Sequence, residues 1–563
     1  MTKAQHITVG GAPEGFDATL ILAEVAKTGA PVLHIARDDK RLVAMQAALR
    51  FFAPDMPVMT FPGWDCLPYD RVSPNAEISA TRMATLAGLA HGGPSQFVLL
   101  TTLNAATQRV PARDVLRGAA FVAAVGERVD EKALREFLVR MGFTQAPTVT
   151  EPGDYALRGG IIDIYPPGEG GPVRLDLFGD VLDGVRRFDP GTQRTTEKLD
   201  RVELAPVSEV ILDEEAIRRF RQNYRIEFGA AGTDDPLYEA VSAGRKHAGV
   251  EHWLPFFHER LEGLFDYLPG ATITLDEQVT PQRLARWDSI ADQYETRHLA
   301  LSQKSRGDTV YKPVAPGLLY FDDAAWTAAV ANRRVLQFAA LPQATGPGVI
   351  DAGGRIGRNF APERQQENIN LFSALKDHIQ AKLEKSPVLV ASYSTGARER
   401  LEGLLEDEGL IGAVGISSAK GIGKHGLHLA VWPLESGFDA PGLTVISEQD
   451  VLGERLIRAP RRRRAENFLT EAQSLSIGDL VVHVDHGIGR YLGLEVVTAA
   501  GAAHECLVLE YAESSKLYLP VENIELLSKY GHEEGLLDRL GGGAWQAKKA
   551  RLKERIREMA DRL

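Results

Sequence analysis

The chain has 563 residues, of which 44% are hydrophobic and 25% are charged, as in ordinary globular proteins. This length predicts about four domains, and the composition excludes collagen-like, coiled-coil and wholly disordered chains. With 64 Lys and Arg against 76 Asp and Glu, the formal net charge is −12. Any binding to nucleic acid therefore requires a local basic patch rather than the whole surface.

Cysteine content and hydropathy indicate an intracellular protein. The two cysteines, Cys66 and Cys506, cannot form a disulfide framework, and no Cys-x-x-Cys pair offers a zinc site. The first residues lack the apolar segment of a signal peptide, and no apolar run approaches the roughly 18 residues that span a bilayer. We therefore expect a cytoplasmic protein without membrane contact.

Strand and helix patterns alternate through residues 1–119. Residues 7–9, 31–36 and 97–100 have the apolar pattern of buried strands, and residues 18–27 have helical spacing. This alternation predicts a parallel sheet covered by helices on its faces. Residues 120–206 instead alternate with period two around glycine turns, which predicts an α+β insert dominated by antiparallel strands.

The patterns are mixed in residues 207–345 and become clear again afterwards. Residues 346–454 predict a small α/β domain, and the arginine-rich residues 455–474 predict a basic linker, whose arginines at 461–464 could contact nucleic acid or simply be solvated. Residues 475–532 read as all-β. Residues 533–563 read as a helix whose apolar face is still running at the last residue, so we expect the chain to be a truncated form of a longer one.

A phosphate-binding loop is suggested by Gly10 and Gly15, which lie between a predicted strand and a predicted helix. Such a loop next needs Lys for the phosphates and Ser or Thr for magnesium. Here those two positions are Phe16, which has no charge, and Asp17, which repels phosphate. We therefore predict that the loop is degenerate and that this stretch binds no cofactor.

Two further motifs favour structural over chemical roles. Residues 421–426 match Gly-x-Gly-x-x-Gly, but a strand pattern follows where the dinucleotide motif requires a helix. His483 and His486 lie on a strand and turn, where they would not converge on a metal, and no third ligand is near. With no hydrolase or kinase motif present, we predict no catalytic residue and no metal site.

Binding surfaces are the remaining possibility. Arg158, Arg174 and Phe178 lie on adjacent predicted strands of the insert, where they could be interface anchors or solvated arginines beside a core phenylalanine. Leu507 and Leu509 lie on a strand that could be an exposed edge, able to extend a partner's sheet, or an ordinary barrel strand. The residues alone do not decide either case.

Several specific stretches, in this order, resemble the bacterial transcription-repair coupling factor family along essentially the whole chain. They include residues 64–70, 158–166, 174–178, 193–195, 447–454, 482–491, 516–521 and 540–545. The resemblance implies an α/β multidomain fold. Its parts are a degenerate helicase-like module related to UvrB, interrupted by the α+β insert, then a small α/β domain and a CarD-like, SH3/Tudor-like β-barrel followed by a helix.

The resemblance also implies partners. Residues 1–119 and 207–345 form the UvrB-like module, and the insert recruits UvrA through Arg158, Arg174 and Phe178. The barrel contacts the β subunit of RNA polymerase, which by position implicates Leu507 or Leu509. A RecG-like motor, which holds ATP and Mg²⁺ and makes most contacts with double-stranded DNA, is absent from the sequence.

Two departures from UvrB favour an adaptor over an enzyme. One is the degenerate loop. The other is that residues 69–75 lead almost directly into a helix, which leaves no room for UvrB's DNA-clamping β-hairpin. We therefore expect an adaptor that bridges stalled polymerase to UvrA in transcription-coupled repair, with translocation left to the family's motor. The alternatives are a UvrB-like DNA-dependent ATPase and a CarD-type transcription regulator.

Overall fold

In the computed structural model of the chain, the described residues form two compact units. The first unit includes residues 5–188 and 195–453, and the second includes residues 189–194 together with the described residues between 478 and 537. The residues that the structure describes are 5–168, 170–229, 235–302, 311–344, 346–366, 370–453, 478, 480–483, 486–499, 502–520, 527–531 and 537. The predicted basic linker and, apart from residue 537, the predicted terminal helix lie outside them.

The first unit opens with strands and helices in alternation, as the sequence predicts. The helix at residues 39–52 is capped by Asp38, which accepts a hydrogen bond from the Arg41 backbone N–H. The helix at residues 16–28 ends at Gly29, which has the left-handed conformation. The elements are β1 (Gln5–Gly10), α1 (Phe16–Thr28), β2 (Val32–Ala36), α2 (Asp39–Phe52), β3 (Val58–Phe61), α3 (Ala76–Ala90), β4 (Val98–Thr102), α4 (Leu103–Ala106), β5 (Arg109–Pro111) and α5 (Arg113–Arg117).

The insert follows, and after it the chain returns to the first sheet. The insert contains β6 (Phe121–Ala124), α6 (Glu131–Arg140), β7 (Thr144–Gln145), β8 (Asp154–Arg158), β9 (Ile161–Ile164), β10 (Val173–Phe178), β11 (Val181–Phe188), β12 (Thr195–Leu199) and β13 (Arg201–Leu204). The returning segment contains α7 (Glu214–Phe228), α8 (Pro236–Ser242), a 3-10 helix (Val250–Phe256), β14 (Leu261–Gly263), α9 (Leu264–Tyr267), β15 (Thr272–Leu275), α10 (Val279–Ser302), α11 (Pro316–Leu319), α12 (Asp323–Val330), β16 (Arg334–Phe338) and β17 (Val349–Asp351).

A seven-stranded parallel sheet is the frame of this module. Its strand order is β17-β1-β16-β15-β2-β4-β3. Strands β2 and β4 are buried along their whole length, which is why they read as continuous apolar runs. Strand β17 pairs with β1, so residues 349–351 belong to this sheet although the sequence analysis places them in the small α/β domain.

The insert is built on a six-stranded sheet in the order β12-β11-β10-β9-β8-β7, antiparallel except between β7 and β8. One face packs Ile162, Leu175 and Val185 into a core shared with helix α6. The hairpin between β8 and β9 turns at Gly159, whose φ of 63° favours glycine. The predicted antiparallel strands of the insert are thus confirmed, and the other face carries polar side chains beside a small apolar cluster at Phe188.

The small α/β domain has the predicted strand and helices. Its elements are β18 (Arg355–Ile356), α13 (Ala361–Gln365), α14 (Leu371–Leu383), β19 (Val388–Ser392), α15 (Thr395–Asp407), β20 (Val414–Ile416), a 3-10 helix (Ala419–Gly421), β21 (Leu427–Val431), β22 (Phe438–Ala440), β23 (Leu443–Ser447) and α16 (Glu448–Leu452). The six strands form one mixed sheet in the order β18-β22-β23-β19-β21-β20. Strand β21 follows the glycine-rich residues 421–426, which confirms that this motif lacks the helix of a dinucleotide site.

The second unit is a five-stranded antiparallel sheet in the order β27-β26-β25-β24-β28. Its elements are β24 (Leu480–His483), β25 (Gly487–Ala499), β26 (Ala502–Glu510), a 3-10 helix (Ala512–Ser514), β27 (Lys516–Pro520) and β28 (Leu527–Gly531). The closed SH3/Tudor-like barrel remains a prediction. Among the described residues of both units, no helix combines the length and the apolarity needed to cross a bilayer.

Candidate functional site

The outer face of the insert sheet brings the predicted docking residues together. Because side chains alternate between the two faces of a strand, Arg174 shares its face with Asp163 directly opposite on β9. Two residues further along these strands, Arg158 lies opposite Ile161 on the same face. Phe178 ends strand β10 on this side of the sheet. The sequence therefore places one arginine on β8, one on β10 and an aromatic ring at a strand end, all within one surface.

Asp163 organises this surface, and the sequence analysis missed it. Its side chain is 1% exposed and accepts two hydrogen bonds from Arg174, at 2.7 Å from Nε and 2.9 Å from Nη2. This pairing raises the pKa of the Arg174 guanidinium above its ordinary value. Arg174 also lies 4.9 Å from the centre of the Phe188 ring. The guanidinium is thus held in one orientation, a requirement for specific recognition.

Phe178 and Arg158 are available to a partner. The Phe178 residue is 83% exposed, which excludes the interpretation of a core phenylalanine. The Arg158 side chain is 46% exposed, with Nη1 at 3.9 Å from Asp163 and Nη2 donating to the Pro147 carbonyl at 2.8 Å. A large exposed ring beside oriented arginines is typical of an interaction site.

The degenerate loop connects two domains of the first unit. The Phe16 ring lies 6.0 Å from that of Phe438 in the small α/β domain. Gly15, with a φ of 92°, lets the loop pass so near that an added Cβ would lie 2.8 Å from Phe438. Trp432 of the small domain also stacks on Phe51 of helix α2 at 4.8 Å. The position of the phosphate-binding lysine is therefore taken by an interdomain apolar contact.

Asp17 is paired internally. Its buried carboxylate contacts the Arg41 guanidinium, whose Nε lies 3.2 Å from Asp276 at the carboxyl end of β15. Burial opposes the charge of Arg41, but the two carboxylates raise the pKa of its guanidinium above the ordinary value. A strand-end aspartate in this position of a P-loop protein holds magnesium. Here the cation between the loop and the strand end is Arg41, so these residues do not fit a magnesium triphosphate.

The pH dependence of stability tests this arrangement. Burial raises the pKa of Asp17 to about 6 from 3.8 despite the attraction of Arg41. The folded state therefore favours the protonated carboxyl, and the stability gained from it below pH 3.8 is lost as the pH rises through 6. We expect the free energy of unfolding of Asp17→Asn, relative to the unchanged chain, to rise by up to about 3 kcal/mol between pH 4 and pH 7.

Urea unfolding of both chains across that range measures this difference, in which titrating groups that do not interact with Asp17 cancel. Asp17→Asn also loses the contact between its side chain and Arg41. This loss changes the free energy of unfolding of the variant by a similar amount at every pH. A difference that stays constant, or that falls with rising pH, would show that Asp17 is already ionised in the folded chain at pH 4.

The predicted polymerase-binding leucines lie in the core of the second unit. Leu507 is 2% exposed and Leu509 is 0% exposed. Strand β26 pairs with β25 and, over residues 506–510, with β27, so it is an internal strand and the edge-strand interpretation is wrong. Strand β26 is internal here because the five residues of β27 pair with the backbone of residues 506–510. Tyr518, 42% exposed on β27, is the aromatic residue on the outer strand.

Metal-binding groups do not converge in the part of the chain that the structure describes. No cluster of three or more His, Cys, Asp or Glu side chains there could hold an ion. The rings of His483 and His486 lie 4.6 Å apart, tilted at 32°. Cys66 lies 4.0 Å from His252, but burial raises the pKa of this thiol to about 12, which disfavours the reactive thiolate.

Two family descriptions match the chain, one in each region discussed above. Residues 122–209 match the UvrB interaction domain, and residues 475–531 match the CarD-like/TRCF RID domain. The first contains the complete outer face with Arg158, Arg174 and Phe178. The second contains the five-stranded sheet of the second unit.

Curated relatives extend the similarity over nearly the whole chain. The chain is 32% identical over 574 residues to a transcription-repair-coupling factor of Escherichia coli, covering 100% of the chain and 48% of the relative. It is 31% identical to one of Rickettsia bellii over 94% of the chain and 46% of the relative, and 25% identical to one of Bacillus subtilis over 95% and 46%. The chain thus spans about half the length of these relatives. With both domain types present in one chain, it matches the N-terminal half of transcription-repair-coupling factors.

Proposed function

We propose that this chain is the adaptor portion of a transcription-repair coupling factor, which recruits UvrA through the insert and contacts RNA polymerase through the second unit. The observation that carries the proposal is the outer face of the insert sheet. There a buried carboxylate orients Arg174 beside a phenylalanine that is 83% exposed. Exposing so large a ring has a cost in water that binding a partner would remove.

Truncation of the docking residues tests the UvrA contact. We expect Arg174→Ala and Phe178→Ala each to weaken binding to UvrA by about 1–4 kcal/mol, because anchors of an interface lose contact area and aligned hydrogen bonds. Isothermal titration of the chain with purified UvrA measures the effect. Val139→Ala is a matched control, since Val139 is an exposed apolar residue on helix α6 of the same insert, 52% exposed. Unchanged affinity in Phe178→Ala would contradict the proposal.

The polymerase contact is proposed for the outer strand of the second unit. Strand β27 pairs with β26 on one side only within the described residues, and the backbone groups of such a strand can pair with a strand of another protein. The β subunit of RNA polymerase is the partner that the resemblance implies. The SH3/Tudor-like barrel is proposed in a form that stays open beside β27, because full closure would pair the free edge of this strand.

Nucleotide-dependent activity is not proposed for these residues. The lysine position holds Phe16 packed on Phe438, and the magnesium position holds Asp17 paired with Arg41. We expect no saturable binding of a fluorescent ATP analogue in the presence of Mg²⁺, and no ATP hydrolysis with or without DNA. Hydrolysis by the purified chain would support the UvrB-like ATPase instead. ATP-driven movement on double-stranded DNA is proposed for the family's motor.

A further inference from the structure

A row of cations crosses three strands of the insert sheet beyond the predicted docking residues. In the strand register, Arg174 lies opposite Arg186 on β11, and Arg186 lies opposite Lys198 on β12. Residues directly opposite in antiparallel strands share a face, so all three side chains stand on the outer face with Asp163. Like charges opposite each other destabilise a sheet, so the row needs a compensating role or partner.

Compensation by carboxylates decreases along this row. Arg174 donates two aligned hydrogen bonds to Asp163, whereas Arg186 has an ion pair with Asp176 at 3.2 Å. The Asp176 oxygen of that pair has no aligned hydrogen bond, and the Arg186 side chain is 43% exposed. Lys198 is exposed and has no ion pair within the part of the chain that the structure describes. Arg186 and Lys198 are therefore less well compensated by carboxylates than Arg174 is.

The neighbouring carboxylate on β12 does not neutralise Lys198. Glu197 is adjacent in sequence, so its side chain leaves the strand on the opposite face, where it pairs with Arg187 at 3.1 Å. The outer face thus carries four cations, Arg158, Arg174, Arg186 and Lys198, against three carboxylates, Asp154, Asp163 and Asp176. This local positive excess stands on a chain whose formal net charge is −12.

We propose that Arg186 and Lys198 extend the docking surface across β11 and β12 and bind acidic side chains on the UvrA surface. The inference rests on the proposed function and adds to it the chemistry of the partner: an apolar pocket for Phe178 flanked by carboxylates. A protein fits this surface better than nucleic acid, because the exposed Phe178 ring needs an apolar contact.

Charge reversal tests the extension. We expect Arg186→Glu and Lys198→Glu each to weaken UvrA binding about fivefold to tenfold at low ionic strength, with a smaller effect at high salt because screening removes it. Asp176→Asn is expected to strengthen binding, because it frees Arg186. If Arg186 served only to stabilise the sheet, this same variant would bind no better and would melt at a lower temperature. Arg201→Glu is the matched control, since Arg201 is 69% exposed on β13, outside this sheet.

The outcomes separate this inference from the proposed function. If Phe178→Ala weakens binding while both reversals bind like the unchanged chain, the extension is wrong and the adaptor function stands. If Phe178→Ala has no effect either, the proposed UvrA contact itself is wrong. If the reversals abolish retention of a DNA duplex and leave UvrA affinity intact, the row serves nucleic acid and the extension is also wrong. Circular dichroism of each variant confirms that the insert is folded.

Discussion

Leu507→Arg combined with Leu509→Arg is expected to unfold the second unit rather than remove one contact from its surface. Both leucines are almost completely buried and pack with Val481, Tyr491 and Tyr511. Each substitution puts a guanidinium into an apolar core without a carboxylate partner, and the pair should cost more than about 4 kcal/mol. Polymerase binding would then be lost as a consequence of unfolding.

Near-ultraviolet circular dichroism and amide hydrogen exchange of the second unit distinguish the two explanations. Leu494→Arg is the matched control, because Leu494 lies opposite Leu507 on β25 but is 53% exposed. This control should remain folded. Tyr518→Ala on β27 should also remain folded while weakening binding to the polymerase β subunit. If the double arginine variant keeps protected amides yet loses polymerase, the two leucines are surface anchors after all.

Arg41→Met is expected to destabilise the first unit by about 3–5 kcal/mol at neutral pH. The substitution leaves Asp17 and Asp276 buried and close together without the cation that lies between them. The loss should be smaller below pH 6, because burial already raises the pKa of both carboxyls and protonation removes their repulsion.

Urea unfolding followed by tryptophan fluorescence measures this loss. Lys40→Met is the matched control, because Lys40 is the neighbouring cation and its side chain, paired with Glu435, is 77% exposed. Exposed ion pairs contribute at most about 1 kcal/mol, so the control should remain close to the unchanged chain. Equal stability of the two variants would mean that Arg41 is not what compensates the buried carboxylates.

The strands and the alternating insert could be predicted because their signals are local. Continuous apolar runs identify strands such as β2 and β4, and period two identifies the sheet that carries Arg174. Strands β15 and β16 escaped notice because mixed patterns surround them, although both are central in the parallel sheet.

The partners of charged side chains could not be predicted in the same way. Asp163 could have been found, since its parity along β9 places it on the face of Arg174. Asp276 could not, because it reaches Arg41 from 235 residues away through the strand order. The internal position of β26 likewise depends on where β27 pairs, which hydropathy along a single strand does not contain.

The contact between Phe16 and Phe438 has a mechanical consequence. In motor proteins that close on a nucleotide, the gap between the two domains that hold it opens and closes with each catalytic cycle. Here the packing of Phe16 on Phe438 and the stacking of Trp432 on Phe51 instead hold the small α/β domain on the domain that contains the loop. A force applied to the small α/β domain would therefore be transmitted directly to the seven-stranded sheet of the module that carries the insert, because the two domains are held rigidly together.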